Sequence, residues 1–211
     1  MKKTIVFVML AAITITTLFG CGKTDRLDSD TKEAVYPQDL KQEESSETEY
    51  TVIHTDWPMY NTVNEIINAS TNIYSGTVTD ISFEIIDYKT GKIDNDPNST
   101  STSRTIYTVY SVDVNNSCKG NNPKTVKIRK IGGIAGFKEK EQRDLLVSSG
   151  LILSDVGKII INDDDCSLKT GKEYLFCTVR SDSVFDLIIN PYQFAHDIDS
   201  ANAKNIIDAL K

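Results

Sequence analysis

The stretch IYSGTVTDISFEIIDY (residues 73–88) decides the fold. It is rich in Ile, Thr, Tyr and Val, the residues that suit a pleated, half-buried surface. Its apolar parity changes midway: Tyr74 and Val78 share one strand face, whereas Ile81, Phe83 and Ile85 share the other. Side chains alternate across a strand, so one extra residue near Thr79-Asp80 restores a single buried face. Such a bulge also bends the strand, and small barrels need bent strands to close. The pattern therefore predicts one long, bulged strand in a mainly β domain.

Working outward, Lys89–Ser103 is a polar loop containing Gly91 and Pro97. Arg104–Val114 resumes strand character, with Ile106, Tyr110, Val112 and Val114 on one face, and Asn115–Pro123 reads as a turn region. Thr125–Ile131 follows as a strand with Val126 and Ile128 inward, stopped by Gly132-Gly133. Val156–Asn162 reads as a short strand. Lys172–Arg180 and Val184–Asn190 read as a hairpin through Ser181-Asp182-Ser183.

Helices are fewer. Thr62-Val63-Asn64-Glu65 is a capping-box pattern, and Val63, Ile66, Ile67 and Ser70 fall on one helical face, so a helix is expected over Thr62–Ala69. Another is expected around Glu139–Val147. Ala203, Ile206, Ile207 and Leu210 form a last helical stripe, with Ser200 as its cap. The result is a mainly β (α+β) domain of five or six strands, with an N-terminal and a C-terminal helix. Strands follow one another with too little helix between them for βαβ order, so an antiparallel, partly closed barrel is favoured over a parallel sheet.

Three parts make up the chain of 211 residues. Lys2 and Lys3 precede an uncharged, mostly apolar run from Ile5 to Phe19, and Leu18-Phe19-Gly20-Cys21 closes it. A positive start, a short apolar core and a small residue before the cut describe a secretory signal peptide over residues 1–20. Two other readings stand beside it: an uncleaved anchor, since Ile5–Gly22 is 18 residues without a charge, at the lower limit for a span, and an ordinary signal beside which Cys21 is incidental. Residues 21–50 form an acidic tether, with four basic side chains (Lys23, Arg26, Lys32, Lys41) against nine acidic ones (Asp25, Asp28, Asp30, Glu33, Asp39, Glu43, Glu44, Glu47, Glu49). That segment has little to bury and is expected to remain a disordered spacer. Residues 51–211 are the folded domain.

The formal net charge is −7. An acidic chain repels phosphate backbones, which argues against a nucleic-acid partner. The one dense basic run is Lys124, Lys127, Arg129 and Lys130. Alternation sets Lys124 and Lys130 on the face opposite Lys127 and Arg129, which reads as a solvated strand.

Two resemblances attach to these residues. Leu18-Phe19-Gly20-Cys21 resembles a bacterial lipobox, although Phe19 stands where a smaller residue is usual. The resemblance implies cleavage between Gly20 and Cys21 and a diacylglycerol on the Cys21 thiol. The segments YSGTVTDISFE (74–84), TVYSVDVNNSCKG (108–120), VKIRKIGG (126–133) and LKTGKEYLFCTV (168–179) resemble a recurring domain of lipoproteins from low-GC Gram-positive bacteria. That resemblance implies an OB-like barrel, similar to the inhibitory domain of tissue metalloproteinase inhibitors. Those inhibitors bind zinc through an amino-terminal cysteine. The equivalent here, Cys21, is assigned to lipid, so the mechanism does not carry over.

Candidate sites are few. Cys118, Cys166 and Cys177 are an odd number for a disulfide framework. Cys177 alternates with Leu175 and Val179 and reads as a buried thiol, while Cys118 and Cys166 occupy turn-like contexts from which they could pair. No CxxC spacing suggests zinc. His54 and His196 are the two histidines, without an elbow or H-E-x-x-H motif beside them, and His196 reads as solvated. Asp94-x-Asp96-x-Asn98 imitates the start of a calcium loop but has Ser99 and Thr105 where glycine and an acid belong, and Asp163-Asp164-Asp165 is a bare acidic run. Asn68 and Asn98 head sequon patterns that carry little weight in a bacterial reading. Trp57, Pro58 and Tyr60 are either an exposed aromatic patch or a chain end packed on the domain, and packing is favoured.

Catalytic, cofactor and metal residues are accordingly assigned to none. The expected protein is held to a membrane by lipid on Cys21, faces the extracytoplasmic side, and carries a non-catalytic binding or structural domain for a protein or cell-wall ligand. An envelope hydrolase and a protease inhibitor are the alternatives.

Overall fold

A computed structural model of the chain describes residues 49–153, 157–162, 168–181 and 185–211. The targeting segment, Gly20, Cys21 and the tether up to residue 48 lie outside the described residues, as do Asp163-Asp164-Asp165 and Cys166. Eight strands are found among the described residues, rather than five or six, with three helices. They run β1 (Tyr50–Ile53), α1 (Val63–Ala69), β2 (Asn72–Asp87), β3 (Arg104–Lys119), β4 (Thr125–Ile131), α2 (Glu139–Ser148), β5 (Ile159–Asn162), β6 (Glu173–Arg180), β7 (Phe185–Ile188), β8 (Ala195–Asp197) and α3 (Ala201–Ala209). The domain is mainly β, built on a six-stranded, mostly antiparallel sheet in the order β2-β3-β4-β7-β6-β8, with a further pairing between β2 and β6. Only β4 and β7 pair in parallel within it.

The parity change in residues 73–88 has the expected cause. Val78 pairs with Val112 and Asp80 with Ser111, so Thr79 is the extra residue. Its hydroxyl turns aside to donate to the Ser111 carbonyl at 3.1 Å. Tyr74, Val78 and Ile81 thereby join one core cluster, while Phe83 and Ile85 enter a second with Ile106, Leu146 and Ile159. Just before the bulge, β2 and β3 come close at Gly76. A Cβ there would stand 2.5 Å from Val112 Cγ1 and 2.8 Å from the Asp113 carbonyl oxygen, so the position excludes a side chain.

Strand β3 runs five residues past Val114, through the segment expected to be a turn. Its polar side chains are the reason for the difference: Asn115, Asn116 and Ser117 are exposed, and the register shifts leave Asn115 and Cys118 as extra residues opposite β2. Both terminal helices are capped as expected. Thr62 accepts from the Glu65 amide and Ser200 from the Ala203 amide. The Glu65 carboxylate reaches back to the Asn61 amide at 2.7 Å, one residue beyond the usual box partner. Helices α1 and α3 bury Ile66, Ala203 and Ile206 in the first core cluster, whereas α2 buries Leu146 in the second.

Two strands had no sequence signal. Strand β1 pairs in parallel with β5, Tyr50 opposite Ile159, in a separate two-stranded sheet. Strand β8 sets His196 opposite Leu175 of β6. His196 is therefore buried, not solvated, because pairing with β6 draws it under the last helix. The basic run also departs from expectation. Arg129 and Lys130 are buried. The Arg129 guanidinium lies 5.2 Å from the Phe185 ring and 5.9 Å from the Tyr107 ring, and donates to the Gly91 carbonyl at 2.8 Å. Delocalised charge over aromatic faces makes this burial tolerable.

Candidate functional site

A cleft opens where α1, α3 and the segment before β8 meet, with a volume of about 190 Å³. Its framework starts at Asn190, a fully buried amide followed by Pro191. Asn190 Oδ1 accepts from the amides of Tyr192 (2.9 Å) and Gln193 (2.7 Å), an Asx turn that fixes the chain reversal. Asn190 Nδ2 donates to the Pro58 carbonyl at 2.9 Å. Gln193 then takes the Tyr60 amide at 3.0 Å and gives a bond to the Tyr60 carbonyl at 2.7 Å. These two amides sew the Trp57–Tyr60 segment to the domain. Trp57 and Tyr60 pack against the core, as favoured from sequence.

The cleft floor consists of Val63, Ile66, Ile206 and His196, and its rim carries the amides of Asn61, Gln193 and Asn202. Tyr60 and Tyr192 supply two rings, the latter exposed. Burial pushes the His196 imidazole below its ordinary value of 6.5, and a hydrogen bond with the Gln193 backbone works weakly against this. The ring is neutral at pH 7. Its Nε2 is buried and has no hydrogen-bond partner, alone among the side-chain atoms of this lining.

Chemically the cleft can hold, but it has no nucleophile pair. A hydrolytic centre needs a base beside an activated hydroxyl, thiol or carboxylate. The one lining hydroxyl outside the tyrosines belongs to Thr62, and it caps α1 by accepting from the Glu65 amide at 3.2 Å.

The other candidate residues are placed apart from this cleft. Cys177 is fully buried in β6, and burial pushes its thiol up to about 12. Cys118 lies in β3, half-buried, with its thiol also raised by burial, and it is a free thiol. A pairing with Cys166 lies outside the described residues. Among the described residues no group of three or more His, Cys, Asp or Glu side chains could hold a metal ion. The calcium-like loop is occupied by a cation of the chain's own. Arg104, 5% exposed in its side chain, approaches the Asp94 carboxylate at 3.9 Å. It also donates to the carbonyls of Asp96 (2.7 Å), Ser149 (3.1 Å), Ser99 (3.4 Å) and Ser101 (3.4 Å). Asp94 and Asp96 further accept from Ser99 Oγ and the Asn98 amide. Sequence reasoning missed Arg104 because nothing in its neighbours marks it as the centre of the loop.

A second polar cluster lies inside the sheet. Asp186 on β7 is fully buried. It accepts from Arg180 Nε, from Thr178 Oγ1 at 2.7 Å, from Asn72 Nδ2 at 3.2 Å and from the Tyr74 hydroxyl at 3.4 Å. Burial, and then the Asp186 carboxylate, hold the Tyr74 hydroxyl well above its ordinary value. This cluster ties β2, β6 and β7 together.

No helix among the described residues is long and apolar enough to cross a membrane. No protein-family model matches the chain, and no curated protein is significantly similar to it.

Proposed function

We propose that the chain is a lipid-anchored, extracytoplasmic protein whose folded domain is a non-catalytic binding module on an OB-like barrel. The anchor reading rests on Lys2-Lys3, the apolar run and Leu18-Phe19-Gly20-Cys21, followed by an acidic spacer. The barrel reading is supported by the pairings β2–β3, β3–β4, β4–β7, β7–β6 and β6–β2, which return to their starting strand. The single parallel pair, β4 with β7, falls where a five-stranded Greek-key barrel places one. One observation carries the binding reading. The cleft at His196 combines an apolar floor, an uncharged rim and no activated nucleophile, which suits holding a molecule better than cleaving one.

Detergent phase separation tests the proposal. The full chain and a Cys21→Ala variant are each expressed in a bacterial host, and their membranes are partitioned between Triton X-114 and water. The wild type is expected in the detergent phase, and on intact cells its domain is expected to be open to added protease. Equal partition of both proteins, or protection of the domain on intact cells, overturns the reading.

A further inference from the structure

The geometry points to the cleft between α1, α3 and Tyr192–His196 as a site for one neutral sugar residue. This inference rests on the reading of the domain as a binding module and names the ligand class of its cleft.

Charge narrows the class first. No lining side chain carries a formal charge, and the imidazole is neutral. A charged ligand would give up its hydration without a counter-charge, a penalty that excludes anions and cations alike. Size narrows it next. About 190 Å³ lies below the roughly 300–1,000 Å³ of pockets for drug-sized molecules and matches a single six-membered ring. Surface character completes the argument. A sugar ring has apolar C–H faces and an equatorial belt of hydroxyls. The floor presents Ile66 and Ile206, and the exposed Tyr192 ring offers a flat apolar wall. The belt would meet the Asn61 and Asn202 amides, which both donate and accept, as hydroxyls do.

Asn190 and Gln193 hold the segment in place before any ligand arrives, so little ordering is left to oppose binding.

The test uses the full mature chain in a detergent without a sugar headgroup, by saturation-transfer NMR. N-acetylglucosamine and methyl glucoside are the neutral probes, with glucosamine and glucuronate as charged counterparts. Saturable binding of at least one neutral probe is expected, with a Kd on the order of 1 mM for so few heavy atoms. The charged counterparts should bind at least roughly tenfold more weakly. Tyr192 is exposed, and Tyr192→Ala should weaken binding about fivefold through loss of one ring contact. The inference is overturned if neither neutral probe saturates, if a charged counterpart binds as tightly, or if Tyr192→Ala leaves the signal unchanged. Any of these results leaves the detergent partition untouched, so loss of the sugar assignment is distinguishable from loss of the anchor.

Discussion

Replacing Asp186 of β7 with alanine removes the acceptor on which four donors from two other strands, β2 and β6, converge. Arg180 Nε, Thr178 Oγ1, Asn72 Nδ2 and the Tyr74 hydroxyl all point at this one carboxylate, which is fully buried. Removing one partner of a buried ion pair costs about 3–5 kcal/mol, because the other charge stays behind uncompensated. Here the Arg180 side chain is 32% exposed and can recover part of its hydration, which favours the lower end, about 3 kcal/mol. Against a total stability of roughly 5–15 kcal/mol this is a large fraction. It corresponds to a fall in Tm of about 10 °C for a domain of this size. Urea unfolding of the full chain and of Asp186→Ala is the assay, with the midpoint expected to fall at unchanged slope. Asp186→Asn keeps one acceptor oxygen and should cost about half as much. Arg180→Met with Asp186→Asn should cost less than the sum of the single changes, since the stranded charge is then gone. A loss under about 1 kcal/mol for Asp186→Ala, or strict additivity in the double variant, would refute the view that this carboxylate joins β2, β6 and β7.

Three further outcomes are expected. Arg104→Met strips the 88–103 loop of its central donor and should destabilise the chain by about 2–4 kcal/mol, with earlier tryptic cutting between Tyr88 and Ser103; an unchanged digestion pattern contradicts the assignment. Burial holds His196 below 6.5, so the unfolded chain takes up a proton first as pH falls. Its contribution is therefore fully present above pH 6.5 and lost as pH drops below that value. The urea midpoint of His196→Gln should decline less steeply across this window than that of the wild type, and parallel declines refute the point. Cys177, pushed up to about 12 by burial, should escape iodoacetamide in the native state and react only after unfolding; peptide mapping that finds it alkylated without denaturant counts against the buried assignment.

Where the fold could be read from sequence, local patterning was the reason. The parity change between Val78 and Ile81 specified the bulge at Thr79, since a strand has only two faces to choose from. Thr62 and Ser200 announced the helix starts through chemistry confined to three residues. Features that depend on distant partners left no trace. Tyr50–Ile53 is a strand only because β5 lies alongside it. His196 is buried because β8 pairs with Leu175, and three residues are too few to show a period. Arg129 and Lys130 looked solvated because charge is the usual mark of a surface. The rings of Tyr107 and Phe185 that cover Arg129 come from β3 and β7. The cleft itself was half legible. Trp57 and Tyr60 were read as a packed chain end, but the Asn190 and Gln193 bonds that hold them span more than a hundred residues.

The central claim is that this domain reaches its ligand from a membrane, on lipid attached to Cys21. Intact mass of the protein from a membrane fraction, beside a Cys21→Ala variant, tests it most directly. The account predicts a wild-type chain that has lost residues 1–20 and gained the mass of a diacylglycerol, and a variant that fails to mature. A full-length, unmodified chain in both samples would contradict it and leave Ile5–Gly22 as a plain membrane anchor.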